Sequence, residues 1–302
     1  MKPIDQLVRD YLKICQFQKC LDPKTLKAYQ IDLRQFCEFL AQQQATLTKE
    51  ALSVYIMSIN QKFKPRSVKR KIASLKAFCH YLEDEEIIED NPFRKLSIGL
   101  REPVQLPRTV PLRVIEAMLG AAYNQINEST GRKQCRAIQD AAVMELLFAT
   151  GVRVSELCSL DVLDVDLEEG VIRIHGKGAR ERMLQIGNRD VLLILQRYLH
   201  SVPRLTPSPF FMNQRGQRLS EQSVRLILRR YERIAAAPLH ITPHMFRHSF
   251  ATLLLEEDVD IRYIQKMLGH SSIVTTQIYT HVATAKQKEI LTAKHPRNKL
   301  VV

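Results

Sequence analysis

Six residues in the C-terminal half of the chain form a set that could break a phosphodiester bond: Arg153, Lys177, His244, Arg247, His270 and Tyr279. They stand in Ala149-Thr150-Gly151-Val152-Arg153, in Gly176-Lys177-Gly178, in Pro243-His244-Met245-Phe246-Arg247-His248, and in the run from His270 through Ser271-Ser272 to Tyr279. Cleavage by a hydroxyl needs a nucleophile held in line, cationic donors on the oxygens that gain charge, and an acid for the leaving oxygen. Arginine suits the second task, because its planar fork offers two N–H groups to two phosphate oxygens and stays charged at working pH. Each preorganised donor of this kind is worth roughly 3 to 4 kcal/mol in the transition state. Two arginines and a histidine can therefore supply much of what other phosphoryl-transfer enzymes draw from magnesium. Taken singly none of the six is diagnostic: Tyr279 is one of nine tyrosines, and Arg153 reads equally well as a surface charge at a helix end. Their order carries the inference.

Neighbouring polar residues fit supporting roles. His244 and His248 are four apart, as a helical metal pair would be, but no glutamate stands between them as in H-E-x-x-H, so no metal is expected. Glu156 is read as a support for Arg153 and not as an acid catalyst. His248 is expected to pack and hydrogen bond beside the site, with His175, His240 and His281 as structural or exposed histidines. Gly176-Lys177-Gly178 lacks the glycine spacing of a phosphate loop and gains meaning only from lying between two strand patterns.

The elements that must position these groups follow from hydrophobic spacing. Apolar residues recur three and four apart up to about residue 90, which predicts four helices. The first runs near Ile4 to Phe17. The second follows Asp22-Pro23 and carries Leu26, Tyr29, Leu33, Phe36, Cys37 and Leu40. The third starts at Thr48, and the fourth opens at Pro65-Arg66-Ser67 with Val68, Ile72, Leu75, Phe78, Cys79 and Leu82 inward. Such helices can close a small bundle. Asn91-Pro92-Phe93 ends it, and the stretch from Gly99 to Arg108 holds two prolines and no helical period, which marks a linker. Beyond it the pattern predicts helices over Val114–Ala122 and Ala137–Ala149, then strands Val171–Ile174 and Met183–Ile186 on either side of the glycine-flanked lysine. A short strand near residue 211 is followed by helices over Glu221–Ile234, Thr242–Glu257 and Ile261–Leu268, with a last segment from Ala283 to Lys294. No internal repeat or low-complexity tract is present.

Charge points to an anionic partner. Lys and Arg outnumber Asp and Glu by 45 to 32 in 302 residues, a net +13 with a pI near 9.5. The bias concentrates between residues 62 and 76, where Lys62, Lys64, Arg66, Lys69, Arg70, Lys71 and Lys76 occur without an acidic residue. Arg66, Lys69 and Arg70 share a helix face. A solvated polar face is the bland reading. Displacement of the acids into Glu83-Asp84-Glu85-Glu86 favours contact of Lys62, Lys64, Arg66, Lys69, Arg70 and Lys71 with a DNA backbone. No apolar run approaches the ~20 residues of a membrane span, and the start has no apolar signal region, so a cytoplasmic protein is expected. The six cysteines form no C-x-x-C pair and mostly occupy apolar helical positions, as small buried hydrophobes would.

These residues resemble the tyrosine recombinases, and within them the Xer type of site-specific recombinases together with integrases of mobile elements. The resemblance spans almost the whole chain. It is most specific in the block from Thr242 to Thr252 and in Leu268-Gly269-His270-Ser271-Ser272 with Tyr279 nine residues after the histidine. Gly151-Val152-Arg153-Val154-Ser155-Glu156-Leu157 matches the first arginine motif, and Gly176-Lys177-Gly178 the hairpin lysine.

The resemblance implies a mainly α fold with a small antiparallel β-sheet. A four-helix SAM-like core-binding bundle would occupy residues 1–97, a linker residues 98–110, and the catalytic domain residues 111–302. It implies that Tyr279 attacks the scissile phosphate to form a 3′-phosphotyrosyl link and that Arg153, Arg247 and His270 hold the non-bridging oxygens. Lys177 would protonate the leaving 5′-oxygen, and His244 would take the proton of the tyrosine. It further implies no cofactor, no metal and no ATP. The partners would be duplex DNA with a specific recombination site and three more protomers, identical or of a second recombinase, on two DNA sites. A DNA translocase would serve as activator, and the C-terminal helix would dock on a neighbouring protomer. Dimer resolution of chromosomes or plasmids and integration of a mobile element share this chemistry. A non-catalytic DNA-binding protein and a type IB topoisomerase remain alternatives at this point.

Overall fold

The computed structural model describes residues 3–94, 96, 98, 99, 108–176, 181–202 and 208–269. The chain divides into two units, Met1–Val104 and Gln105–Val302.

The first unit is a bundle of four helices, α1 (Ile4–Phe17), α2 (Pro23–Gln42), α3 (Lys49–Lys62) and α4 (Pro65–Asp84). Capping chemistry sets two of the starts. Asp22 accepts from the Lys24 amide at 2.8 Å ahead of Pro23, and Thr48 accepts from the Ala51 amide at 3.2 Å. The inner stripes meet in one core in which Leu33, Phe36, Leu52, Val68, Leu75 and Phe78 are fully buried. Each such side chain contributes about 1.5–3 kcal/mol.

One charge is also inside the bundle. Asp32 on α2 is completely buried and accepts from Lys71 Nζ at 3.1 Å, from Ser74 Oγ at 2.9 Å and from Arg70, all three on α4. Lys71 is 2% exposed, donates to Gln35 as well, and sets its ammonium 4.6 Å from the ring centre of Phe63. A buried carboxylate persists only when paired in this way. This corrects the expectation for Lys71: it ties α4 to α2 and cannot reach a DNA backbone. Lys62, Lys64, Arg66 and Lys69 are exposed, and Arg70 keeps an exposed side chain while holding Asp32.

The second unit is mostly helical around a small sheet. Its elements are α5 (Leu112–Glu128), α6 (Gly131–Thr150), α7 (Val154–Ser159), β1 (Val165–Asp166), β2 (Val171–His175), β3 (Glu181–Gln185), α8 (Arg189–Ser201), α9 (Glu221–Ile234), α10 (Pro243–Glu256) and α11 (Ile261–Leu268). The three strands are antiparallel in the order β1-β2-β3. Register pairs Ile172 with Leu184 and Ile174 with Arg182, so the inward face of the hairpin carries three apolar residues and one arginine. Arg173 and Met183 pair on the exposed face.

Three details depart from the sequence expectations. Helix α8 was not anticipated; Asn188 caps it by accepting from the amides of Asp190 and Val191. The short strand near residue 211 is replaced by two isolated bridges, Asp161 with Pro209 and Met212 with Arg218, between which Phe210 and Phe211 pack on Tyr198. Cys15, Cys37, Cys79 and Cys158 are buried as expected, but Cys20 is exposed. The segment expected from Ala283 to Lys294 lies outside the described residues.

Candidate active site

Arg153 is placed by a sharp exit from α6. Gly151 adopts the left-handed conformation, with φ of 60°, and its amide donates to the Leu147 carbonyl at 3.1 Å. A Cβ on this residue would come to 2.5 Å from Phe250 Cδ1 on α10, so glycine is required by close approach as well as by φ. Two residues later Arg153 caps α7.

Glu156 in the first turn accepts from both the backbone and the side chain of Arg153. The Arg153 amide donates to Glu156 Oε2 at 2.9 Å, and Arg153 Nη1 donates to Oε1 at 2.8 Å. From β3, Arg182 presents both Nη1 and Nη2 to the same carboxylate at 3.0 and 2.8 Å. Burial alone would raise the Glu156 carboxyl, but the Arg182 bonds, the Arg153 amide and the Arg153 side chain hold it down to about 2. It is an anion at any working pH, which matches its reading as a support for Arg153.

Arg247 is placed by α10. Thr242 caps this helix and Pro243 occupies its first turn. The Arg247 side chain is buried; Nη1 donates to the Gly151 carbonyl at 2.8 Å and Nη2 to the Leu268 carbonyl at 2.7 Å. The second arginine thus holds the chain two residues before the first, and also the last residue of α11. His244 is exposed in the first turn of α10, and His248 sits one turn on, with their rings stacked at 5.9 Å. Burial, aided by His244 and Arg247, pushes His248 down to about 4, so it is neutral at pH 7. Ser249 on the same helix accepts from the Val110 amide at 2.7 Å and fixes the chain entering α5.

At the other end of the site, α11 stops at Gly269, again left-handed with φ of 65°. His270 follows it directly in the chain. Lys177, His270 and Tyr279 lie outside the described residues; of the other three candidates, Arg247 bonds the carbonyl two residues before Arg153, and His244 stands one turn before Arg247 on α10. The sequence reading missed Arg182, whose Nε also donates to the Met267 carbonyl at 2.9 Å. Its signal was an arginine on the inward face of a strand, where apolar residues are the rule. Among the described residues, no group of three or more His, Cys, Asp or Glu is arranged to hold a metal ion, and no helix is long and apolar enough to cross a membrane.

Comparison with known proteins places this geometry. Residues 8–86 match the family described as "Phage integrase, N-terminal SAM-like domain", and residues 111–286 match "Phage integrase family". A tyrosine recombinase of Agathobacter rectalis is 52% identical over 98% of this chain and 98% of its own. Tyrosine recombinase XerC of Thermodesulfovibrio yellowstonii is 34% identical over 97% of each chain, and XerD of Listeria monocytogenes 35% identical over 97% of this chain and all of its own. Among solved structures, the fold is shared with the XerH site-specific recombinase bound to a palindromic difH substrate. That match has a TM-score of 0.74 at 22% identity over 93% of this chain and 83% of that one. The chain belongs to the phage integrase family and is a tyrosine recombinase of the Xer type.

Proposed function

We propose that the chain cuts and rejoins DNA at a specific site, with Tyr279 as nucleophile and Arg153, Lys177, His244, Arg247 and His270 as its catalytic partners. In the forward step the Tyr279 oxygen bonds to the scissile phosphorus and the bond to the 5′-oxygen breaks. His244 takes the phenolic proton, and Lys177 gives one to the leaving 5′-oxygen. A phenol with an ordinary pKa near 10 needs that base at neutral pH. Arg153, Arg247 and His270 hold the non-bridging oxygens as they gain charge. Because the phosphotyrosyl link keeps the phosphodiester energy, the 5′-hydroxyl of a second strand reverses the step and completes the exchange.

The observation that carries this reading is the bond from Arg247 to the carbonyl of Gly151, two residues before Arg153. It fixes the helix that carries Arg247 against the turn that leads into Arg153, so two arginines far apart in sequence stand on adjoining elements, which supports a shared phosphate. On this reading residues 1–97 grip the duplex, residues 98–110 link, and residues 111–302 carry the chemistry. Lys62, Lys64, Arg66, Lys69 and Arg70 supply the cations of the first part. The acting form is a tetramer on two sites, identical or with a second recombinase, as the lambda integrase tetramer on a Holliday junction suggests by analogy of fold. The reading extends to dimer resolution, in the cytoplasm, with a DNA translocase as activator, in a chain whose relatives include proteins named XerC and XerD.

The test is covalent capture. A nicked suicide duplex carrying the cognate site should trap wild-type protein as a denaturation-resistant adduct, while Tyr279→Phe should bind the same duplex with unchanged affinity and form none. Tight binding by the wild type with no adduct would leave only a DNA-binding role.

A further inference from the structure

We infer that Arg182 on β3 is a positioning residue for strand cleavage, holding Arg153 through Glu156 and the chain that leads into His270 through the Met267 carbonyl. The inference rests on the catalytic roles proposed above.

The carboxylate of Glu156 accepts four bonds, two on each oxygen. Oε1 takes Arg153 Nη1 at 2.8 Å and Arg182 Nη1 at 3.0 Å. Oε2 takes the Arg153 amide at 2.9 Å and Arg182 Nη2 at 2.8 Å. Each oxygen therefore binds one donor from each arginine, and the plane of the carboxylate is fixed by both. Rotation about the last bond of a glutamate side chain is otherwise soft, and Arg153 alone would restrain it with one bond to each oxygen. Arg182 doubles the restraint with a second bond to each oxygen, and so stiffens the carboxylate against which the Arg153 guanidinium rests.

The third donor points elsewhere. Arg182 Nε donates to the Met267 carbonyl at 2.9 Å, across 85 residues of sequence, near the end of α11. Gly269 gives the guanidinium room there, since a Cβ at that position would come to 3.0 Å from Arg182 Nη1. Two residues separate Met267 from His270 in the chain, and four separate Lys177 from Arg182. One side chain, only 13% exposed, thus ties the first arginine motif, the hairpin strand after the lysine and the helix before the second histidine. No lysine can reproduce this, because a single ammonium cannot grip both oxygens of one carboxylate and a carbonyl beyond it.

The experiment compares wild type, Arg182→Met and Arg182→Lys on nicked duplexes carrying the site at which the wild type forms its adduct. The scissile group is an ordinary phosphate, a methylphosphonate or a 5′-bridging phosphorothiolate. Methylphosphonate removes charge that Arg153 must neutralise, and the bridging sulfur leaves without needing a proton. On phosphate both variants should cleave about 100-fold slower than wild type, as a displacement of roughly 1 Å in a catalytic group costs, with DNA affinity unchanged. Most of that deficit should vanish on methylphosphonate and none of it on phosphorothiolate. Wild-type rates in both variants would overturn the inference. So would recovery on phosphorothiolate, which would route Arg182 through the leaving-group acid, or an equal deficit on all three substrates, which would make its role merely structural. If Arg182→Met fails to fold, Arg182→Lys carries the same comparison. Absence of any adduct from the wild type would instead refute the proposed function itself.

Discussion

Glu156→Gln keeps the shape of the side chain, removes its charge and turns an N–H group toward guanidinium donors. The structure sets the magnitude. A carboxyl held at about 2 against an ordinary 4.5 is stabilised as the anion by roughly 3 kcal/mol, at 1.36 kcal/mol for each pH unit. Breaking a buried ion pair by removing one partner costs about the same, 3–5 kcal/mol. We therefore expect a loss of roughly 3 kcal/mol at pH 7, which for a unit of this size lowers the melting temperature by about 6–12 °C. The sign of the pH dependence follows from the direction of the shift. A lowered folded-state pKa gives stability that is full above the unfolded value of 4.5 and is lost as pH falls toward about 2. Urea unfolding of both proteins at several pH values should show a constant difference at neutral and mildly acidic pH that narrows below 4.5. Equal stability at pH 7, or a difference that persists unchanged into strong acid, would refute the argument.

Two further outcomes are expected. Arg66→Ala with Lys69→Ala should weaken DNA binding and reduce the salt slope by about 0.9 for each phosphate that is no longer neutralised, whereas Lys71→Met should lower the stability of the bundle and leave the slope unchanged; salt titration with thermal melting checks both. The His248 pKa lies below its ordinary 6.5, so the neutral form is the one the fold prefers and stability should fall as pH drops from 6.5 toward about 4; His248→Asn should abolish that part of the loss, as melting across that range would show.

How much of this was readable in advance depended on how local each signal was. The bundle helices, the Gly151–Arg153 turn and the Thr242–Arg247 helix start are each encoded within a few consecutive residues, by caps, by glycine at a left-handed position and by apolar spacing. Helix α8 was harder, because Leu193 is half-exposed and blurs the stripe made by Val191, Ile194, Leu195 and Tyr198. Lys71 was misread by counting charges instead of placing them. It stands three residues after Val68 and four before Leu75, on the apolar stripe of its own helix, so it had to face inward. Its partner Asp32 is 39 residues away and gives no local hint. Arg182 is the same case in a strand: its alternation with Leu184 says that it points in, but only the fold reveals that a carboxylate 26 residues earlier and a carbonyl 85 residues later are waiting there.

The seat of Arg247 has a consequence for the order of folding. Its guanidinium is held by two backbone carbonyls, one 96 residues before it and one 21 residues after it, and neither is in place until α6, α10 and α11 have packed. Contacts of such long sequence separation form late, after the entropy of closing the intervening loops has been overcome. On the proposed roles, a nascent or partly opened chain would therefore have its arginines but not yet the clamp for phosphate. Any opening that moves the end of α11 away from α10 undoes the bond to Leu268 and leaves the guanidinium held on the Gly151 side alone, so on the proposed roles cleavage should be lost by loosening before the chain unfolds.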